Sequence, residues 1–291
     1  MLITMSERLP SKTSDAKPKS GAGSRQERRE LFRTRLPQPV PGGITGDEVE
    51  AHFSGMPEHF WEQVSESDLL WGLGTVHGFL QLVATPNVPA TKPYVEWRSV
   101  PEAGRTRVML CTWDRRGLLA KAAATFSALG MSICEAEAFT RSDNIVLDVF
   151  SVFDAETGGL ADESRLKEVY FLLEGALSEP PRFASVWMCS RHKYLLPPGQ
   201  PPPRVTFDNR SSDASTLMFI EAPDRQGLLY DILQTLADNE LDVTEAHIRT
   251  REGVARDVVH IRDAAGQKVL AAQRLAQLRA KLKAALTMKP D

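Results

Sequence analysis

The sequence predicts an α+β protein built from two similar domains. The first observation is an internal repeat: the pattern Asp-Arg-x-Gly-Leu-Leu occurs at residues 114–119 and again, 110 positions later, at 224–229. The second is periodicity, because each copy follows an alternating strand-like run and opens an amphipathic helix. The third is size and composition: a chain of 291 residues, 42% of them hydrophobic and 25% charged, is long enough for about two cores.

The N-terminal residues 1–44 are predicted to be a disordered basic tail. They are rich in Ser, Lys, Pro, Gly and Arg and poor in large apolar residues, so they cannot bury enough surface to offset the entropy of ordering. Residues 1–45 contain nine lysines and arginines and four acids, a charge of +5. Because the whole chain has a net charge of −3, the remaining residues have a charge of −8. A helical turn or two over 25–35 is the exception. This composition is typical of a solubilising tail, with contact to nucleic acid or an acidic partner as the alternative.

Residues 45–84 are predicted to be a helical segment. Thr45 followed by Glu48 has the spacing of a capping box, and apolar residues then recur at helical intervals. A second helix is expected from Ser67, although Gly72 and Gly74 each disfavour it by about 1 kcal/mol. Three prolines make the following residues, up to Pro93, a linker.

The repeats predict two domains, at 94–189 and 204–288, each with the order strand, helix, strand, strand, helix. The expected strands are 106–112, 132–140 and 145–154 in the first repeat and 216–222, 242–250 and 254–263 in the second. The helices open at the two glycine turns, and final helices are expected at 163–177 and 269–286. This is the order of ferredoxin-like βαββαβ domains.

A ferredoxin-like domain has a fourth strand at the edge beside the first. Residues 182–189 could supply it in the first repeat, but the second repeat has no counterpart. The alternative is a permuted order, in which 94–98 and 205–208 each form a hairpin with the strand that follows. A polyproline linker, 190–203, separates the domains, and an open sheet edge in each favours side-by-side pairing within the chain or between chains.

The cysteines, Cys111, Cys134 and Cys189, form no Cys-x-x-Cys pair, so we expect reduced thiols without a zinc site or disulfides. The chain begins without an apolar stretch of signal-peptide length, and no segment approaches the roughly 18 apolar residues of a membrane span. We therefore expect a cytoplasmic protein with no membrane partner.

Nothing in the sequence predicts catalytic residues, because no Ser/His/Asp or Cys/His set has a recognisable spacing. Glu245, His247 and His260 lie on neighbouring predicted strands, but they match no common metal signature, so we expect no metal and no cofactor. Asp148 and Asp257 lie inside otherwise apolar strands. Each is either functional or a buried carboxylate that holds a neighbouring backbone N–H group.

The two glycine corners are the candidate ligand-binding sites. Glycine permits a positive φ, while the first N–H groups and the dipole of the following helix attract an anion such as an α-carboxylate. The neighbouring aspartate can pair with an α-ammonium or with the adjacent arginine. The predicted ligand-binding residues are Asp224, Arg225, Gly227 and Leu228 in the second copy and Asp114, Arg115, Gly117 and Leu118 in the first. We expect the second corner to be the better preserved, since Gln226 stands where the first has the extra charge of Arg116.

The two corners, together with Val146-Leu147-Asp148-Val149-Phe150 and residues 205–232, resemble the C-terminal ACT pair of bifunctional uridylyltransferase/uridylyl-removing enzymes, which modify the nitrogen-signalling protein PII. The resemblance covers about residues 94–286, and 56–79 are similar to the stretch before that pair. It implies tandem ACT domains that sense a small amino acid, glutamine being the first candidate. The catalytic motifs of those enzymes are absent: no His-Asp dipeptide occurs, and Gly23-Ser24 is not followed by paired aspartates.

The sequence therefore predicts a non-catalytic regulatory protein of nitrogen or amino-acid metabolism, with an amino acid as ligand and a homodimer as one possible assembly. One alternative is a regulatory subunit or remnant of a PII uridylyltransferase, whose partner would be a PII-type protein or a separate catalytic chain. Another is an amino-acid-gated protein that binds nucleic acid through the basic N-terminal arm. The limited aromatic content of that arm disfavours nucleic acid as a partner.

Overall fold

The computed structural model describes residues 22–178 and 202–287, and within these ranges the predicted α+β class is confirmed. The helices are α1 (Ala22–Arg35), α2 (Gly46–Gly55), α3 (Phe60–Gln63), α4 (Glu66–Ala84), α5 (Leu118–Ala128), α6 (Glu163–Ser178), α7 (Leu228–Asp238) and α8 (Ala272–Thr287). The strands are β1 (Tyr94–Val100), β2 (Arg105–Trp113), β3 (Met131–Thr140), β4 (Ile145–Asp154), β5 (Arg204–Asp208), β6 (Thr216–Pro223), β7 (Asp242–Arg251) and β8 (Val254–Arg262). No helix within these ranges combines the length and apolar composition that crossing a membrane requires.

The eight strands form one antiparallel sheet in the order β1-β2-β4-β3-β7-β8-β6-β5. In each half, a hairpin strand (β1 or β5) occupies the edge position that the last strand of a ferredoxin-like domain would fill. The permuted alternative is therefore confirmed in both repeats. Residues 182–189, the other candidate for the edge strand, lie outside the described ranges.

The two domains meet at a seam between β3 and β7. There Ala136 lies opposite Ile248, Glu137 opposite His247, and Ala138 opposite Ala246. Helices α5 and α7 pack against each other on one face of the same seam. The predicted side-by-side pairing thus occurs within the chain, and it brings each glycine corner next to the other domain.

The sheet has one continuous core and one local core. The continuous core lies between the sheet and helices α5 to α8 and includes residues of both domains. The local core lies on the opposite face of the first half-sheet, under α1 to α4, where Phe53, Trp61 and Phe79 are buried. Consequently β4 is buried on both faces along nearly its whole length. The N-terminal helices are therefore an integral layer of the first domain.

The prediction of a disordered tail as far as residue 44 is wrong for the part that the structure describes. Helix α1 packs on the helical segment: Phe32 and Leu36 are buried, and Arg28 Nε donates to the Trp61 carbonyl oxygen at 2.8 Å. Burying an apolar side chain of this size stabilises the folded state by about 1.5–3 kcal/mol. The basic residues around it do not prevent this burial. Residues 1–21 lie outside the described ranges.

Helix α4 packs closely against the sheet at two of its glycines. A Cβ at Gly72 would lie 3.0 Å from the Leu147 side chain, and one at Gly78 would lie 2.3 Å from the Tyr94 ring. The capping box at Thr45 and Glu48 is confirmed, and α4 begins one residue before the predicted Ser67. These glycines disfavour an isolated helix, but because they have no side chain they allow α4 to approach the strands.

Gly78→Ala is expected to destabilise the protein by about 1–3 kcal/mol, because the added methyl group overlaps the Tyr94 ring. Gly74→Ala is the matched control: nothing lies within 4 Å of its added Cβ, so it should stabilise the helix by up to about 1 kcal/mol. Urea unfolding of both variants measures the difference. Effects of equal sign at the two positions would contradict the close packing of α4.

Candidate functional site

Each glycine corner lies beside a cleft between the two domains. Gly117 (φ 74°) and Gly227 (φ 76°) are the N-caps of α5 and α7, and both values fall in the left-handed region that glycine adopts without strain. The first corner is closed by the backbone N–H of Asp114, which donates to the carbonyl oxygen of Asn144 at 2.8 Å. The N–H groups of Leu118 and Leu228 donate to the carbonyl oxygens of Arg115 and Arg225 at 3.1 Å, and since glycine has no capping side chain, the next first-turn N–H groups are left to other partners.

The first cleft contains about 470 Å³ of empty space, part of it open to solvent, and has two walls. The wall from the first domain contains all four residues predicted for that corner: Asp114, Arg115, Gly117 and Leu118. The opposite wall comes from the second domain and consists of Leu233, Ala237, Leu241, Asp242, Val243 and Thr244. Sequence reasoning missed this second wall, because it depends on the pairing of β3 with β7.

Asp148, on β4, lines the first cleft from below. It is only 2% exposed, and among the described residues its Oδ1 has no hydrogen-bond partner. Burial raises the pKa of Asp148 well above its usual range, Asp114 raises it further, and the backbone N–H of Phe139 opposes the shift. A buried carboxyl oxygen without a partner is unfavourable, so a cationic ligand group would find an unmet acceptor there.

Two further carboxylates face the same cleft. Burial raises the pKa of Asp114, and the nearby charge of Asp242 raises it further. Arg115 does not neutralise them with a short ion pair: its guanidinium donates to the Leu177 carbonyl oxygen at 3.1 Å and to the Thr112 hydroxyl at 3.0 Å. The cleft thus combines three carboxylates with the N-terminus of α5, which is the polarity that complements a zwitterion.

The second cleft is smaller, with about 330 Å³ of empty space that is partly open to solvent, and its lining includes the four residues of the second corner: Asp224, Arg225, Gly227 and Leu228. Two of its polar side chains already have protein partners. Gln226 Nε2 donates to the Ser127 carbonyl oxygen of the first domain at 2.9 Å, and Arg225 pairs with Asp231 at 2.5 Å. Arg115 in the first cleft is likewise hydrogen-bonded, so the bridge from Gln226 to the other domain is what sets the second cleft apart.

The two buried strand aspartates, Asp148 and Asp257, are not equivalent. Asp257 Oδ1 accepts a hydrogen bond from the backbone N–H of Arg249 at 3.3 Å, and burial raises the pKa of Asp257 to about 7. This matches the sequence alternative of a carboxylate that holds a neighbouring N–H group. Asp148 differs because one of its oxygens remains without a partner.

Outside the clefts, three histidines surround Glu245 on the other face of the seam. His59, His247 and His260 approach its carboxylate at 3.2, 2.7 and 3.4 Å. His59 belongs to the N-terminal segment and stacks on Phe139, so this cluster connects that segment to the second domain. Over residues 22–178 and 202–287, no group of three or more His, Cys, Asp or Glu side chains has an arrangement that could hold a metal ion.

Comparison with known proteins supports an ACT-like fold for the second repeat. Residues 204–290 match the ACR9-like, ACT-like domain family. The bifunctional uridylyltransferase/uridylyl-removing enzyme of Gluconobacter oxydans is 35% identical over 202 residues, covering 67% of this chain and 21% of that enzyme. The enzyme of the same name from Azospirillum brasilense is 33% identical over 184 residues, covering 62% and 20%.

Among solved structures, 62% of this chain aligns with 26% of a chain of aspartate kinase from Synechocystis, at 18% identity and a TM-score of 0.34. The chain spans about a fifth of the length of the curated relatives that it matches. The family match falls on the second repeat, and the first repeat has the same strand order and the same glycine corner. The second repeat is therefore an ACT-like domain, and over 62–67% of its length the chain is similar to bifunctional uridylyltransferase/uridylyl-removing enzymes.

Proposed function

We propose that this chain is a non-catalytic regulatory protein that senses a small amino acid, with glutamine as the first candidate. The observation that carries the proposal is the first cleft, where the N-terminus of α5 and the unpartnered Oδ1 of Asp148 occur together. An α-amino acid has a carboxylate and an ammonium on one carbon. Its carboxylate fits the helix N–H groups, and its ammonium fits the buried carboxylate.

The position of the cleft explains how binding would act as a signal. A ligand in the first cleft would touch the corner of one domain and residues 241–244 of the other. Such a ligand binds the paired arrangement of the two domains more tightly than any separated one, and so shifts the population toward it. A partner protein could read that shift, and a sensor of this kind would act in the cytoplasm.

The two corners need not contribute equally. The sequence favoured the second corner, around Gly227, and that preference stays a prediction. The geometry gives more support to the first cleft, because it is larger and lacks the bridge that Gln226 forms to Ser127. We therefore propose the first cleft as the principal ligand site and the second as a closed counterpart.

Thermal unfolding with a panel of amino acids tests the proposal. A ligand at 100 times its dissociation constant should add about 2.7 kcal/mol to the free energy of unfolding. The shift should disappear in Gly117→Ala, because alanine is strained at φ 74° and its methyl group projects at the corner, and should persist in the matched variant Gly227→Ala. Loss in Gly227→Ala alone would move the site to the second corner, and no shift with any amino acid would reject ligand sensing.

A second candidate function is that of a regulatory subunit for a separate PII uridylyltransferase or for a PII-type protein. The similarity to the ACT pair of such enzymes favours it. Co-purification of a nucleotidyltransferase or a PII-type protein with this chain would support it. Docking of nucleic acid by the basic arm has less support, because Arg33 and Arg35 pair with Glu50 and Glu66 of the N-terminal helices.

A further inference from the structure

We infer that Asp242, which the second domain contributes to the first cleft, selects amino acids whose side chain ends in an N–H donor group: an amide, an ammonium or a guanidinium. The inference rests on the proposed function, since the same cleft must first bind an amino acid. It goes further by naming the class of side chain and the residue that distinguishes it.

The first domain provides the groups that would bind the α-carboxylate and the α-ammonium of a ligand. Asp114 and Asp148 both lie on that domain, beside the helix N-terminus that suits the α-carboxylate. Asp148 alone offers a buried oxygen without a partner, which suffices for one ammonium group. Asp242 is then the carboxylate left over, and it stands on the opposite wall.

The wall around Asp242 suits a chain of methylene groups that ends in a donor. Its neighbours in the cleft are mostly apolar: Leu233, Ala237, Leu241 and Val243. An aliphatic stem can pack along such a surface while its polar end reaches a charged acceptor. Glutamine, lysine and arginine have this form.

The charge of the cleft excludes the opposite class. Its lining contains three carboxylates and a single cation, Arg115, which already donates to neutral acceptors. An acidic side chain would be repelled by Asp242, and a purely apolar one would remove Asp242 from water without giving it a partner. Only a side chain with an aliphatic stem and a terminal N–H donor both packs on the apolar wall and gives Asp242 a hydrogen-bond partner.

Comparison of the repeats shows that this feature belongs to the first cleft. The residue 110 positions before Asp242 is Ser132, which has no charge. The first domain contributes Ser127 and Ile133 to the second cleft, and Ser127 is engaged by Gln226. Asp242→Ser therefore gives the first cleft the side chain of the other repeat.

Isothermal titration of the full chain with glutamine, lysine, norvaline and glutamate tests the role of Asp242. The wild type should bind glutamine or lysine about tenfold or more tightly than norvaline, which has the stem without the donor, and glutamate weakest. In Asp242→Ser the preference over norvaline should fall to within about threefold, because glutamine and lysine lose their acceptor while norvaline no longer buries an unpaired carboxylate. The control is Asp238→Ser, an exposed aspartate on α7 outside the cleft lining, which should leave the preference intact.

Asp242→Asn separates the two kinds of donor. If the natural side chain is cationic, this variant should weaken lysine about tenfold and glutamine much less, since the charge is lost and an acceptor oxygen remains. If it is an amide, glutamine should be the tighter ligand of the wild type. Amino-acid binding with a preference that survives Asp242→Ser would overturn the inference alone, whereas no binding of any amino acid would overturn the proposed function as well.

Discussion

Asp148→Asn is expected to weaken amino-acid binding in the first cleft by about 30-fold or more, which corresponds to at least about 2 kcal/mol. A bound ammonium favours the ionised form of Asp148, so the substitution removes the charge from one partner of a buried, hydrogen-bonded pair, which usually has an effect of this size. The asparagine has nearly the same size, so the cleft should keep its shape. Isothermal titration with the amino acid that gives the largest thermal shift measures the loss.

Relative to the wild type, Asp148→Asn should stabilise the unliganded protein, and this difference should grow as the pH rises. Burial raises the folded pKa of Asp148 above the unfolded value of about 3.9, so the folded protein keeps a proton that the unfolded chain releases. The stability associated with that proton is present below about pH 4 and is lost as the pH rises through the folded pKa. Asparagine does not titrate, so thermal unfolding between pH 5 and pH 8 should depend less on pH in the variant.

Asp257→Asn is the matched control for Asp148. Its carboxyl is equally buried and its pKa is raised by burial to about 7, so the variant should show a similar gain in stability above pH 5. Binding in the first cleft should be unaffected, because Asp257 lines only the second. If both variants lost affinity equally, the assignment of the ligand to Asp148 would be wrong.

His52→Leu is expected to stabilise the protein by about 3 kcal/mol at pH 4.5 and by much less at pH 7.5. His52 is completely buried next to Phe60, and over the described ranges neither ring nitrogen has a hydrogen-bond partner. Burial lowers the pKa of His52 to about 3, with the charge of Arg141 as the second cause. Leucine removes the titrating group and fills a similar volume.

The direction follows from the proton balance. The folded pKa of His52 lies below the unfolded value of about 6.5, so the unfolded chain binds the proton first as the pH falls. The free energy of unfolding therefore decreases between pH 6.5 and about pH 3, by about 1.4 kcal/mol per pH unit. Urea unfolding at the two pH values measures it. His77→Leu is the control, since His77 pairs with Glu48 at 2.7 Å and its removal should not stabilise the protein at pH 4.5. Equal gains at both pH values for His52→Leu would contradict the account.

The parts of the site that sequence reasoning found are those that local structure determines. The six-residue repeat places a glycine between a strand and a helix, and both corners have the positive φ that this position requires. Gly117 and Gly227 could therefore be identified together with their neighbours. All eight residues predicted for the two corners line the two clefts.

The parts that were missed depend on contacts between distant segments. Asp242 and Leu233 reach the first corner only because β3 pairs with β7, and a strand pattern does not specify its neighbour in a sheet. Asp148 and Asp257 look alike in sequence. Both accept a hydrogen bond from a backbone N–H group, of Phe139 and of Arg249, but Asp148 also has a buried oxygen without a partner among the described residues.

Helix α1 was predicted only as a helical turn or two over 25–35 within a disordered tail, and its packing was missed for a different reason. Its composition is basic and polar, which is typical of disordered segments. The informative signal was small: Phe32 and Leu36 are one helical turn apart and are buried against the helical segment. Two apolar residues add little to a hydrophobic periodicity measured over many residues. They are nevertheless enough to hold a short helix in place when they pack on an apolar surface that other helices already form.

The most direct test of the central claim is a map of backbone amide chemical shifts during titration with the amino acid that gives the largest thermal shift. We expect perturbations at residues 115–120 of the first corner and 241–244 of the facing wall, with smaller changes at 224–229. The two groups should saturate at the same ligand concentration, because one molecule contacts both walls. Perturbations confined to 224–229, or changes at the first corner without changes at 241–244, would contradict a ligand site shared between the two domains.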